Sequence, residues 1–344
     1  RWGSRSRCRG RFWRILMVWG SLIDHRDKAL IGSYPVCLFI RAQIQAGRFV
    51  YQRDFELNRA CHLITGRCGI FRQGVDMLGF PVRKVDTIFR NRNMMRIGVG
   101  YPCVDDVFIY QEIEKGRLKL EDKLSDYFPE IPRAGDITIY QLLEHTAGLG
   151  DYVMRNGTYS WMFSEVSNSD IMEEIIRQGI LYEPGTDFKY SNSGYYLLAN
   201  ILRKIHKKAY FEILDEEIIR PLGLLVSASG IISDSDEALP YEKNAVGEWV
   251  EVPDFYFLNV MGVGDILSSP ENINLFLHAL FTGKLISKEH LQIMKPYGDD
   301  RHGRGMMYMP YHEHKYYGHT GDTFGVHSIG VYNEQEDISI AVSV

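Results

Sequence analysis

The chain has 344 residues, 45% of them apolar and 24% charged, with a mean hydropathy of -0.20. That balance excludes a disordered tail, a collagen-like fibre and a long coiled coil, and no run of about 18 apolar residues is present to form a membrane-spanning helix. The formal charge of -5 argues against a nucleic-acid partner.

The total hides a break after Asp106. Up to that point 17 Arg and 2 Lys face 8 acids, a net of +11; beyond it the net is -16. All five cysteines (Cys8, Cys37, Cys61, Cys68 and Cys103) lie in the first part. Their number is odd and no C-x-x-C occurs, so neither a zinc site nor a complete disulfide set is indicated. The arginines are scattered singly among Trp, Phe, Gly and Cys, without the stripe of a nucleic-acid arm. A signal-peptide reading of Arg1 to Leu22 meets Arg14 inside its apolar run and no small-residue cleavage site. Another reading is a segment poorly matched to the rest of the chain, as a shifted reading frame would produce. Residues 1–106 are therefore set apart from a domain over 107–344, helical to about 300 and stranded from about 301.

From Val107 the pattern is regular. Val107 to Gly116 reads as the end of a helix stopped by glycine. Thr138 with Gln141, and Asp170 with Glu173, read as capping boxes. Ser193 to Ile205 is predicted helical, and Ser269-Pro270 opens another helix. Val326 to Tyr332 and Ile338 to Val344 flank a polar turn and predict a hairpin. Helices followed by strands indicate an α+β fold.

Three segments carry chemistry. In Glu183 to Gly194 a Pro-Gly turn delivers Tyr190 and Asn192 to the mouth of a helix. A phenol there can move a proton if a cation lowers its pKa, and the amide can hold a substrate carbonyl, although Asn192 could equally cap the helix. Gly318-His319-Thr320-Gly321-Asp322 reads as a small-residue strand edge able to pair with an extended substrate and to donate to an oxyanion. Leu142 to Leu149 is a helix end running into a Gly turn, with His145 as a buried structural residue and Glu144 on a solvated face. His312-Glu313-His314 lacks the H-E-x-x-H spacing, because Tyr316 stands at the second His position, and reads as a hairpin tip; no metal or cofactor is expected.

Together these motifs resemble the serine β-lactamase-like hydrolases, the class C branch that includes D-alanyl-D-alanine peptidases, D-aminopeptidases and related esterases. Ile137 to Leu149 is similar to that family's "ITIxxLLxHTxGL" stretch, Tyr190-Ser191-Asn192 to its Y-x-N motif and His319-Thr320-Gly321 to its K/H-T-G strand. The resemblance implies an antiparallel sheet flanked by helices, with a helical insert and a groove between them. It implies acylation of a Ser in S-x-x-K, with water releasing the acyl group. By position, Tyr190 would transfer the proton and Asn192 would contact the substrate amide. His319, Thr320 and Gly321 would line the groove, and the Asp322 backbone N–H would form half of the oxyanion hole. A small-molecule or peptide-like substrate and an extracytoplasmic or periplasmic location follow by resemblance.

The chain departs from the pattern at its centre. Arg96-Ile97-Gly98 fits the lead-in to S-x-x-K, which places Val99 at the nucleophile and Pro102 at the lysine. Neither can do that work, and proline would disturb the helix. No Ser in the chain is followed by Lys three positions later. The expectation is a β-lactamase-related hydrolase inactive as written; the alternative is a non-catalytic relative binding peptide-like or cell-wall ligands in the same groove. The chain also ends inside an apolar strand, where the family continues with a further element.

Overall fold

A computed structural model of the chain describes residues 12–18, 37–45, 48–50, 67–72, 95–96, 104–224, 227–228, 240–253, 256–297 and 301–343, with backbone alone before Val104. Two compact units divide it, Arg1–Thr65 and Gly66–Val344. In the first, β1 (Phe12–Val18), β2 (Cys37–Gln45) and β3 (Arg48–Val50) form an antiparallel sheet in that order.

The second unit opens with β4 (Arg67–Arg72) and β5 (Met95–Arg96). Its helices follow: α1 (Val104–Glu114), α2 (Ile139–Leu143), α3 (Asn168–Gln178), α4 (Asn192–His206), α5 (Tyr210–Leu214) and α6 (Arg220–Leu222). Short strands β6 (Ser227–Ala228), β7 (Tyr241–Lys243), β8 (Trp249–Glu251) and β9 (Ile266–Ser268) come next. Then α7 (Pro270–Phe281) and α8 (Lys288–Met294) lead to β10 (Met307–Tyr311), β11 (His314–Thr323), β12 (Val326–Asn333) and β13 (Ile338–Ser343). This is an α+β arrangement.

The main sheet is antiparallel throughout, in the order β10-β11-β12-β13-β4. β4 pairs with β13 from Arg67 opposite Ser343 to Arg72 opposite Ile338, and β5 pairs with β9. The boundary between units therefore falls at Thr65, well ahead of the charge break at Asp106. The hairpin expected at the end of the sequence is β12–β13. Its turn is fixed by Asn333, whose side-chain oxygen accepts the N–H groups of Gln335 and Glu336 at 2.9 and 3.0 Å. His312-Glu313 forms the β10–β11 turn, with His312 at φ 51° and His314 drawn to Glu336 at 2.7 Å.

The helical core is apolar. Val107, Phe108, Ile109 and Tyr110 of α1 are at most 1% exposed and pack with Tyr196, Leu197, Ile201 and Leu202 of α4 and with Phe276, Leu277 and Leu280 of α7. Sequence-encoded caps fix the ends. Thr138 and Gln141 form a reciprocal box at α2. The second box lies one turn earlier than the sequence reading placed it: Ser167 is the cap and Asp170 its partner, because Ser167 Oγ accepts the Asp170 N–H at 3.1 Å. Ser269 caps α7 with Pro270 in the first turn. Among the described residues no helix is long and apolar enough to cross a membrane, and no cluster of three metal-ligating side chains occurs.

Candidate active site

Two turns are zipped together to present the Tyr190 segment. The Gly185 N–H donates to Thr146 O at 2.8 Å, Leu181 N–H to Gly148 O at 2.7 Å and Lys189 N–H to His145 O at 3.1 Å. Gly148 has φ 75°, and a Cβ there would lie 2.3 Å from Tyr182 O, so this approach requires glycine. His145 sits at the junction with φ 58°. Its carbonyl accepts the Tyr182 hydroxyl at 3.0 Å, and its Nδ1 accepts the Ser191 N–H at 3.3 Å. The ring stacks between Tyr190 and Tyr195, with centroids 4.1 and 4.9 Å away. Burial, then His319 and His302, push the His145 pKa down to about 3, so the ring is neutral. His145 is thus the buried structural histidine anticipated from sequence.

Tyr190 rests partly buried on that ring. Burial, and after it the carboxylates of Asp151, Asp106, Asp322 and Asp105, hold its phenol above the ordinary value. The condition attached to proton shuttling was a cation that lowers the phenol pKa; among the described residues the groups that act on it most, after burial, are carboxyls that raise it.

Asn192 is not the cap of α4. Ser191 occupies that position, without a side-chain capping bond, and Asn192 is the first helical residue. The Asn192 amide donates to Asp151 Oδ2 at 2.9 Å, while its Oδ1 is buried with no partner. Burial raises Asp151 to about 6 despite the hydrogen bonds from Val153 and Asn192. The nearby hydroxyls are committed elsewhere: Ser191 and Ser193 both donate to Gly150 O, at 3.0 and 2.6 Å. Ser193 also accepts the Tyr152 N–H at 3.0 Å. Both hydroxyls are therefore donated to one backbone carbonyl.

Opposite lies β11. β10 covers it only as far as Gly318, opposite Met307, whereas β12 pairs along it to Thr323. His319, Thr320, Gly321 and Asp322 therefore form an edge flanked by one strand among the described residues. Gly318 is required, since a Cβ would fall 2.0 Å from Gly330 O. Asp322 is half-exposed and pairs with His327 Nδ1 at 2.6 Å, which raises the His327 pKa. His319 and His302, both lowered first by burial, complete the neutral histidine group around His145. Phe188 joins them, edge-on to His145 and 5.2 Å from His302. Glu144, read from sequence as solvated, instead meets Arg304 at 3.0 Å and Tyr140 at 3.2 Å.

Val99 and Pro102 lie outside the described residues. The first described turn of α1 brings in groups that the sequence reading missed. Asp106 is buried and Asp105 nearly so, and their carboxylates are held by the hydroxyls of Tyr195, at 2.8 Å, and Tyr210 respectively. Burial raises the pKa of both. Asp151 was missed too, although it stands two positions past the Leu149 at which the motif reading stopped; its signal was a carboxylate next to a glycine turn. His302 carries no motif at all and reaches the site only through the fold.

The Tyr-x-Asn turn at the head of α4 and the open edge of β11 both lie within the stretch that a family comparison matches. The family model described as Beta-lactamase matches residues 107–344, and the chain belongs to that family. It is 30% identical over 223 residues to a Bacillus subtilis (strain 168) protein named among the penicillin-binding proteins, PbpX, covering 62% of this chain and 53% of that one. It is 30% identical over 196 residues to penicillin-binding protein 4* of the same organism, covering 51% and 42%. The chain thus spans about half the length of these curated relatives. Among solved structures, D-amino acid amidase from Ochrobactrum anthropi SV3, complexed with D-phenylalanine, superposes with a TM-score of 0.71 at 21% identity, over 83% of this chain and 88% of that one. The octameric penicillin-binding protein homologue from Pyrococcus abyssi gives 0.64 at 22% identity, over 73% and 62%. These likenesses establish the β-lactamase/transpeptidase fold.

Proposed function

We propose that the chain carries the groove of a serine hydrolase for amides or esters of peptide-like acyl groups, and that this polypeptide holds such ligands without being acylated. One observation supports the reading most directly: after burial, the described groups that act most on the Tyr190 phenol are the carboxyls of Asp151, Asp106, Asp322 and Asp105, all of which raise its pKa. A phenol so placed stays protonated and can donate, but it takes no proton from a nucleophile at neutral pH. The sequence agrees, with Val99 and Pro102 where the family has Ser and Lys. The hydroxyls beside the motif, Ser191 and Ser193, are spent on Gly150. The test is intact-mass spectrometry after exposure to a fluorophosphonate and, separately, a penicillin. The expected spectrum is unmodified; a covalent adduct mapped to any serine overturns the proposal and names the nucleophile.

A second reading is favoured by Asp105 and Asp106, two carboxylates whose pKa burial raises, immediately before the family match begins. In it, the residues ahead of Val107 come from a shifted reading frame of a gene whose proper product is acylated. Translating the coding DNA across residues 90–106 in the other frames decides it: a Ser-x-x-Lys in register supports the reading, and its absence sinks it.

A further inference from the structure

The far end of α4 carries a basic recess. Its volume is about 550 Å³, and Asn200, Arg203, Lys204, Lys207, Lys208 and Glu212 line it. Four cations thus fall between Arg203 and Lys208, in a chain whose net charge is -5. The length of α4 separates them from Asn192 at its head, about 22 Å at a rise of about 1.5 Å per residue.

Basic side chains at a helix C-terminus ordinarily answer its dipole, which amounts to about half a charge. One cation meets that need, and the others are only partly compensated. Lys208 pairs with Glu216, and Glu212 Oε2 is occupied by the Ala209 N–H at 2.9 Å. Arg203 donates to Asn200 Oδ1 at 2.9 Å, and Asn200 is itself anchored by donating to Tyr196 O at 2.8 Å. Lys204 donates to Tyr127 O and lies 3.7 Å from the centre of the Phe128 ring. These partners are neutral. Lys207, the left-handed cap of α4 at φ 55°, is exposed. Among the described residues no carboxylate forms an ion pair with Arg203, Lys204 or Lys207. By side-chain inventory Arg203 keeps about four free N–H donors, Lys204 about two and Lys207 about three.

The recess is therefore rich in donors and poor in acceptors. Ala209 is the one apolar residue on its wall, and none of the exposed large hydrophobic side chains lies on α4 or α5. Nothing here favours an aromatic ring or an acyl tail. A ligand that fits brings several charged oxygens, which Arg binds bidentately and Lys as a point charge. The volume is that of a site for a compact small molecule, larger than one orthophosphate fills. Screening acts over about 8 Å at physiological ionic strength, so the acidic surface elsewhere on the chain does not cancel the local field. We infer that the end of α4 is a binding site for a ligand carrying two or more phosphate groups, held by Arg203, Lys204 and Lys207. The site is separate from the groove and does not rest on the function proposed for it.

The test is isothermal titration calorimetry of the full chain at pH 7 and low salt, with tripolyphosphate and with orthophosphate. Tripolyphosphate is expected to saturate one site at submillimolar concentration, and orthophosphate to bind at least about tenfold more weakly because it reaches fewer of the cations. The double variant Arg203→Gln, Lys207→Gln is expected to lose at least about tenfold in tripolyphosphate affinity, on samples whose circular dichroism matches the parent. Lys288→Gln, at an exposed lysine of α8, should stay within about twofold. Sedimentation with vesicles containing phosphatidylglycerol separates two sources of the same chemistry. Vesicle binding that tripolyphosphate displaces and the double variant lacks assigns the recess to lipid headgroups; its absence, with tripolyphosphate bound, assigns it to a free ligand. No saturable binding of tripolyphosphate overturns the site, as does undiminished binding by the double variant or an equal loss in Lys288→Gln. Should the double variant unfold, Lys207→Gln alone decides: a loss of at least about threefold supports the site, and an unchanged affinity overturns it.

Discussion

Helix α1 buries two carboxylates, one near each end, and treats them in opposite ways. Glu112 has a side chain 2% exposed, yet it is met by Arg117 at 2.7 Å, Lys115 at 3.3 Å and His206 at 3.2 Å. Burial works to raise its pKa, and these cations outweigh burial and hold it below the usual value. Asp106, nearly two turns earlier and 3% exposed, has a tyrosine hydroxyl in place of a cation, and burial drives its pKa up to about 7. It also fills its space completely: a Cβ on Gly305 would lie 2.2 Å from its Cγ. A buried carboxylate met by cations keeps its charge, whereas one met by a hydroxyl is driven toward its protonated form. The family match begins at Val107, the residue after Asp106.

Removing the charge from Asp106 should sharpen that contrast most. In the folded chain its pKa is about 7 against 3.8 when free. A raised carboxyl pKa means that the folded state keeps its proton where the unfolded state has lost it. The associated stability is complete below about pH 4 and is lost as pH rises through 7. Asp106→Asn keeps an oxygen for the Tyr195 hydroxyl and removes the penalty. Denaturant unfolding at pH 8 should show a gain of up to about 4 kcal/mol, from three units at about 1.4 kcal/mol each, and at pH 4 a change within about 1 kcal/mol. A loss of stability at pH 8 would mean that the Tyr195 hydroxyl and the backbone compensate the buried charge and that Asp106 is not destabilising there.

Glu112→Gln is the counterpart, with the opposite sign. It leaves Arg117, Lys115 and His206 around a neutral amide, and breaking a buried ion pair by removing one partner costs about 3 kcal/mol. Because the Glu112 pKa is lowered, its contribution is present above the free value of 4.5 and is lost as pH falls below it. Unfolding curves of the variant and the parent should therefore converge near pH 3 and separate above pH 5. If the two substitutions shift stability in the same direction at pH 8, the distinction between the two ends of α1 collapses.

Much of the fold from Val107 onward was legible because local chemistry and global structure agree there. The Thr138 box, the Ser269-Pro270 start and the β12–β13 hairpin each rest on short-range hydrogen bonds that sequence spacing specifies. The motif strands and turns were legible by resemblance, and the fold brings Tyr190, Asn192 and the β11 edge into one neighbourhood. What the sequence concealed is non-local. That Asn192 would donate to Asp151, 41 positions away, depends on the antiparallel bridge between Leu149 and Ile180. The burial of Asp106 depends on Gly305, and the role of His302 on its approach to Phe188. Charge sign and solvent exposure at such places are products of packing, and no periodicity reports them.

His145 gives the smallest and most diagnostic of these effects, because it is a buried titratable group on the well-fitted side of the break. Its ring contributes two stacks, worth about 1 kcal/mol each, and an acceptor for the Ser191 N–H. His145→Asn tolerates the φ of 58° and still offers an oxygen to that N–H, so it isolates the stacking. At pH 7.5 the variant should be less stable by about 2 kcal/mol, the sum of the two stacks. The wild-type ring titrates near 3 when folded and near 6.5 when free, so its neutral burial favours folding above 6.5 and loses ground as pH falls from 6.5 toward 3. Asn carries no such liability. The gap between parent and variant should close by about pH 5 and reverse near pH 4, the mirror image of the Asp106 trend. A gap that stays constant from pH 8 to pH 4 would show that the ring is not held neutral. The group of neutral histidines formed by His145, His302 and His319 would then have to be abandoned.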